Sequence, residues 1–215
     1  MSFTPQGEGA IKVAFFDADS TLRVSKSGSV SASHPTDVAL LPGVVSRLSR
    51  LERDGFLIAI VSNQGGIPRF ISLDHADQAL QYTIKLLNDA GAPVDYYDFA
   101  EAKNDLRKPD VGMADLAEMV IALTTGRSVD WEHSYMVGDS AWKQGETDPQ
   151  GRPGIDFSNS DRGFAEGVAK KHPGFAFHYP DSFFGWDRFG IRRFDEFEQV
   201  KQFQAEHGAS AFSEE

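Results

Sequence analysis

The sequence predicts an α/β protein built on a doubly wound parallel sheet, and two observations carry that expectation. Short runs rich in Val, Ile and Phe alternate along the chain with longer stretches whose apolar residues recur at helical spacing. That is the pattern of strands interleaved with covering helices. Three of the apolar runs also end directly in polar, chemically capable residues. Ile11-Lys12-Val13-Ala14-Phe15-Phe16 leads into Asp17-Ala18-Asp19-Ser20-Thr21, Phe56-Leu57-Ile58-Ala59-Ile60-Val61 into Ser62-Asn63-Gln64-Gly65-Gly66, and Ser134-Tyr135-Met136-Val137 into Gly138-Asp139-Ser140. Open α/β sheets bind ligands in the crevice at the carboxyl ends of their strands.

Taken in order, the first strand covers 11–16. A Ser/Gly-rich loop over 25–33 follows the acidic motif and reads as a flap beside it. Pro42-Gly43 opens a helix running to about Asp54, with Val44, Val45, Leu48 and Leu51 at helical spacing. The second strand, 56–61, precedes an amphipathic helix over 74–90, through Ala76, Leu80, Ile84 and Leu87, and then a strand over 96–100. Pro109 opens a third helix to Leu123, because the first helical turn tolerates proline. After the strand at 134–137, a helix begins near Asp161 and reaches Lys170. A last strand covers 175–177 and a closing helix 194–204.

At 215 residues the chain is long enough for one well-buried core. The expected layout is a flexible N-terminus over 1–10, a single domain over 11–205 and a frayed tail over 206–215. No interval between the motifs would house a large lid, which implies an open cleft. The absence of cysteine excludes disulfides and thiolate zinc sites. Together with an N-terminus lacking an export pattern, this fits a cytoplasmic protein. No apolar stretch approaches a membrane span. A formal net charge of −11 argues against broad electrostatic binding of nucleic acid, so any such contact would be local.

Asp17 and Asp19 lie two residues apart just past a strand end. Two like charges so close are costly to bury unless a cation or a shared proton compensates. The pair therefore suggests Mg²⁺ with one carboxylate free to attack, a solvated turn being the alternative. Asp17-x-Asp19-x-Thr21, Ser62-Asn63, Lys108-Pro109 and Gly138-Asp139 occur in that order. Together they resemble the four motifs of the haloacid-dehalogenase superfamily of aspartyl phosphotransferases. The resemblance implies a Rossmann-like haloacid-dehalogenase fold, with a cap domain that is minimal or absent.

It also implies roles. Asp17 is the nucleophile, since a covalent aspartyl-phosphate divides the high barrier of phosphate monoester hydrolysis into two steps. Asp19 is the general acid and then the general base. Lys108 neutralises charge in the transition state. Thr21, Ser62, Asn63 and Lys108 form the expected phosphate-binding set. Asp17, Asp139 and the Asp19 carbonyl oxygen are the expected Mg²⁺ ligands. Ser140, Asp156 and Asp161 support the metal shell, although Asp156 or Asp161 could instead cap a helix.

A narrower resemblance lies in the last third. Val137-Gly138-Asp139-Ser140, then Asp156-Phe157-Ser158-Asn159-Ser160-Asp161-Arg162-Gly163-Phe164-Ala165, is similar to the polynucleotide kinase 3′-phosphatase family. This implies Mg²⁺-dependent removal of 3′-phosphate from nucleic-acid ends, with no kinase half, since no Gly-x-x-x-x-Gly-Lys-Ser/Thr loop is present. Ser20 departs from the family's usual glycine. Arg107-Lys108-Pro109-x-x-Gly112-Met113 is shared with histidinol-phosphate and heptose-bisphosphate phosphatases, which leaves a small-molecule phosphatase as the alternative. Lys26, Arg69, Lys103, Arg107, Lys143, Arg152 and Arg162 are candidates for a local basic rim, and Phe183, Phe184 and Trp186 for base stacking.

Overall fold

The computed structural model describes residues 9–101, 104–142 and 158–212. Five strands form one sheet: β1 (Lys12–Phe16), β4 (Phe56–Asn63), β5 (Tyr96–Ala100), β6 (Tyr135–Val137) and β7 (Ala176–His178). Their spatial order is β5-β4-β1-β6-β7 and every pairing is parallel. The chain runs outward from β1 through β4 to β5, then returns to the other side of β1 for β6 and β7. This reversal makes β1 and β6 the switch point, where open sheets leave a crevice. The Asp17 amide continues their pairing by donating to the Val137 carbonyl at 3.0 Å.

Alternation along the strands feeds two cores. Ala14, Phe16, Ile58 and Ile60 face one side, where α1 (Val44–Arg53), α2 (Leu73–Asp89) and the C-terminal segment pack. Val13, Phe15, Leu57, Ala59 and Val61 face the other, against α3 (Gly112–Thr125) and α4 (Ser160–Lys171). The predicted doubly wound α/β architecture is therefore what forms.

Several boundaries differ from the sequence expectation. Pro109 does not open α3: residues 104–111 turn around Lys108, and the helix starts at Gly112. The Gly112 amide donates to the Asp105 carbonyl at 3.1 Å, and a Cβ on Gly112 would sit 2.3 Å from that oxygen. Between β1 and α1 two short strands, β2 (Arg23–Val24) and β3 (Ala39–Leu40), pair antiparallel and carry the 25–33 loop. A short helix, α5 (Pro180–Phe184), follows β7. The closing helix α6 runs Phe197–His207. The expected frayed tail is packed as far as the description reaches: the Phe212 ring stacks on Phe203 at 5.6 Å, and Ser46 donates to the Phe212 carbonyl at 2.8 Å. Apolar residues in a short polar tail supply that anchor.

Candidate active site

A cleft of about 440 Å³ opens at the carboxyl ends of β1, β4 and β6. Asp17 and Asp19 line it from β1, Ser62 and Asn63 from β4, Asp139 and Ser140 from β6. Gly28, Ser29, Val30 and Ser31 line it too, so the expected flap does stand beside the site.

Lys108 reaches the same place from the 104–111 turn with its side chain fully buried. Its Nζ donates to Asp17 Oδ1 at 2.7 Å and to the Val61 carbonyl at 2.7 Å, and lies 2.6 Å from Asp161 Oδ1. Burial works against the ammonium, but Asp161 and Asp17 raise its pKa above the usual value and keep it charged. Burial pushes Asp17 up. Lys108 opposes this, and the nearby carboxylates Asp161 and Asp19 add to the rise.

Asp161 is fixed by a reciprocal pairing across the β6 end. The Ser140 amide donates to Asp161 Oδ2 at 3.0 Å, and the Asp161 amide donates to the Ser140 carbonyl at 3.0 Å. Glycine is required at 138, because a Cβ there would lie 2.3 Å from Asp161 Oδ2. Asp17, Asp139 and Asp161 each bring a carboxylate oxygen within 4.8 Å of the others. An all-oxygen set of three carboxylates crowded together at the cleft fits a hard divalent cation. Each of the three already meets a cation: Asp17 and Asp161 meet Lys108, and Asp139 lies 3.6 Å from Arg193. Asp156 lies outside the described residues.

Two expected phosphate donors sit differently. Thr21 is wholly buried, does not line the cleft, and its Oγ1 has no hydrogen-bond partner among the described residues. Asn63 lines the cleft, but its amide clamps the backbone of Lys108: Nδ2 donates to the Lys108 carbonyl at 2.9 Å, and Oδ1 accepts from the Lys108 amide at 3.0 Å. Its side chain thus secures the backbone of the lysine.

Sequence reasoning missed the residues that hold Asp19. Arg23, 1% exposed, donates from Nε to Asp19 Oδ1 at 2.9 Å. Gln64 donates from Nε2 to Asp19 Oδ2 at 3.0 Å and to Ser62 Oγ at 2.9 Å. The available signal was proximity, since both stand within four residues of a motif. Ser20 adopts φ 58, a left-handed conformation that glycine takes at less cost.

Of the predicted basic rim, Arg107 lines the cleft, its guanidinium lying where a Cβ on Gly65 would come within 2.8 Å. Arg162 pairs with Glu166 at 3.2 Å, and Lys103, Lys143 and Arg152 lie outside the described residues. Arg193, absent from that set, lines the cleft 3.6 Å from Asp139. The aromatics expected to stack bases belong to the core instead. Trp186 is fully buried with its indole donating to the Pro42 carbonyl at 2.7 Å, Phe184 is buried, and Arg47 covers the Phe183 ring at 4.7 Å.

A parallel α/β sheet with an Asp–Lys–Asp constellation at its switch point defines a haloacid-dehalogenase-like phosphatase. In agreement, the fold superposes with a TM-score of 0.57 on the crystal structure of a protein from Mesorhizobium loti described as a HAD-like phosphatase. That match has 20% identity and covers 79% of this chain and 71% of the other. Residues 12–184 match the family described as polynucleotide kinase 3 phosphatase, and the chain belongs to that family. It is 33% identical over 184 residues to an uncharacterized protein of Autographa californica nuclear polyhedrosis virus, covering 84% of this chain and 90% of the viral one. Against the bifunctional polynucleotide phosphatase/kinase of Schizosaccharomyces pombe it is 33% identical over 188 residues, 86% of this chain but only 40% of the yeast protein. The D-glycero-D-manno-heptose-1,7-bisphosphate 7-phosphatase of Thermosynechococcus vestitus is 34% identical over 49% of this chain and 59% of its own length. Among the described residues no helix is long and apolar enough to cross a membrane.

Proposed function

We propose that this phosphatase is Mg²⁺-dependent, acts through an aspartyl-phosphate on Asp17, and removes 3′-phosphate from nucleic-acid ends. The catalytic half of the reading rests on the Asp17 carboxylate, which stands at the cleft floor in contact with Lys108. Asp17 attacks phosphorus while the bond to the leaving oxygen breaks and Asp19 gives that oxygen its proton. Asp19 then takes a proton from water, which attacks the same phosphorus, frees Asp17 and releases inorganic phosphate. Lys108 offsets charge on the phosphoryl group throughout. Asp17, Asp139 and the Asp19 carbonyl would hold Mg²⁺, which supplies further neutralisation of the phosphoryl oxygens.

The substrate half rests on extent of similarity. The polynucleotide relative matches 86% of this chain, whereas the heptose-bisphosphate relatives match 49–60% of it. Those same relatives favour the sugar-bisphosphate form of the second reading, whose histidinol-phosphate form rests on the Arg107-Lys108-Pro109-x-x-Gly112-Met113 stretch alone. Phosphate release from a 3′-phosphorylated oligonucleotide, set beside heptose bisphosphate and histidinol phosphate with Mg²⁺ or excess EDTA, separates the two. The oligonucleotide is expected to be the best substrate, with no turnover in EDTA or in Asp17→Asn. A sugar phosphate with kcat/KM orders of magnitude higher would replace the nucleic-acid reading, and full activity in EDTA would remove the metal.

A further inference from the structure

Two apolar side chains stand in solvent, Val30 on the loop between β2 and β3 (83% exposed) and Phe70 on the loop that follows β4 (75% exposed). Val30 is part of the cleft lining. Phe70 stands just outside it, on a turn in which its amide donates to the Gly66 carbonyl at 2.7 Å, and Gly66 lines the cleft. A Cβ on Gly66 would lie 3.8 Å from the Phe70 Cβ, so the ring springs from the cleft wall itself. The next residue, Ile71, is buried and ties the turn down. The exposure of Phe70 is therefore a feature of a hydrogen-bonded, anchored turn.

Charge accompanies the ring. The Arg69 guanidinium lies 5.0 Å from the Phe70 centroid. Arg107 lines the same β4-side wall and makes no carboxylate ion pair among the described residues. An exposed ring paired with one cation, at the edge of a cleft whose wall carries a second, matches a ligand that alternates flat rings with phosphates. A sugar phosphate brings no aromatic ring to such a surface.

We propose that Phe70, with Arg69 beside it, is a stacking subsite for a nucleobase near the reacting 3′ end. This rests on the nucleic-acid reading above and adds what grips the leaving group. Stacking on one ring tolerates every base, so the subsite confers hold without sequence preference.

The test compares kcat/KM for two 3′-phosphorylated oligonucleotides of equal length, one with ordinary bases and one abasic in its last two nucleotides. The wild-type protein should prefer the base-bearing strand by roughly tenfold, the scale of one base–aromatic stack. Phe70→Ala should bring that ratio close to one, and Phe70→Trp should restore it. Because Phe70 is exposed, neither variant threatens folding. If the wild-type protein turns over both strands equally, or Phe70→Ala keeps the preference, the subsite is refuted while the nucleic-acid reading stands. Failure of every 3′-phosphorylated strand to react, with a sugar bisphosphate turned over, removes that reading and the subsite together.

Discussion

Lys108 has an oxygen of Asp17, of Asp161 and of the Val61 carbonyl within 2.7 Å, and Asn63 clamps its backbone on both sides. An ammonium held so firmly is preorganised for charge that develops on a bound phosphoryl group, and it costs no rearrangement when the charge appears. Lys108→Ala should therefore lower kcat by about 10²-fold or more, with KM changing less. Steady-state kinetics on a variant whose circular dichroism matches the parent checks this, and a change confined to KM would contradict the role. Asp19 is held from both sides in turn, by Arg23 on one oxygen and Gln64 on the other. If these contacts aim a proton donor, their loss should matter most where the leaving group needs a proton. Gln64→Ala should reduce turnover of an alkyl phosphate by roughly tenfold while sparing p-nitrophenyl phosphate, whose leaving group departs unprotonated. Equal losses on both would show that Gln64 serves structure alone.

The loop between β2 and β3 is organised by one carboxylate. Asp37 is buried and accepts hydrogen bonds from the amides and hydroxyls of both Ser27 and Ser33, at 2.6–2.9 Å. Burial would push Asp37 up, but these donors outweigh it and hold the pKa at about 2, below the ordinary 3.8. A lowered folded-state value means the carboxylate stabilises the protein above pH ~4, and that contribution is lost as pH falls from about 4 to about 2. The linkage is worth about 2 kcal/mol. Asp37→Asn should lower the urea midpoint at pH 7 and flatten its fall towards pH 2.5, and it should expose the 27–33 segment to protease. A variant as resistant as the parent would show that the flap holds without this hub. At this scale the sheet strands were legible because apolar runs and their polar ends report strand position directly. Asp17, Lys108 and Asp139 were legible because they stand in a run of motifs, two of them directly after apolar strands, whose order resembles the family's. The Asn63 clamp was not, because its partner lies 45 residues away and only the fold brings them together. Arg23 was hidden for a similar reason: it bridges Asp19 to the Ala79 carbonyl and Thr83 of α2, at sequence separations of 56 and 60. The start of α3 was missed because proline fits a first helical turn equally well as the turn that carries Lys108.

At the scale of the whole molecule, a net charge of −11 coexists with a cleft that gathers Lys108, Arg107 and Arg193 at or beside its wall. The long-range field repels a polyanion, so attraction must come from a few cations within reach of the terminal phosphate. If the substrate is a nucleic-acid 3′ end, one or two phosphates beyond the reacting one are engaged, and few counterions are released on binding. For single strands the slope of log affinity against log salt is about −0.7 per neutralised phosphate. Between 50 and 200 mM salt, one or two contacts correspond to a KM increase of roughly 3- to 7-fold. Oligonucleotides of three or four residues should then perform about as well as strands of twenty. A loss of more than about 100-fold over that salt range, or a steep gain with length, would reveal an extended phosphate track along the surface. Recognition would then depend on far more of the molecule than the cleft and its rim.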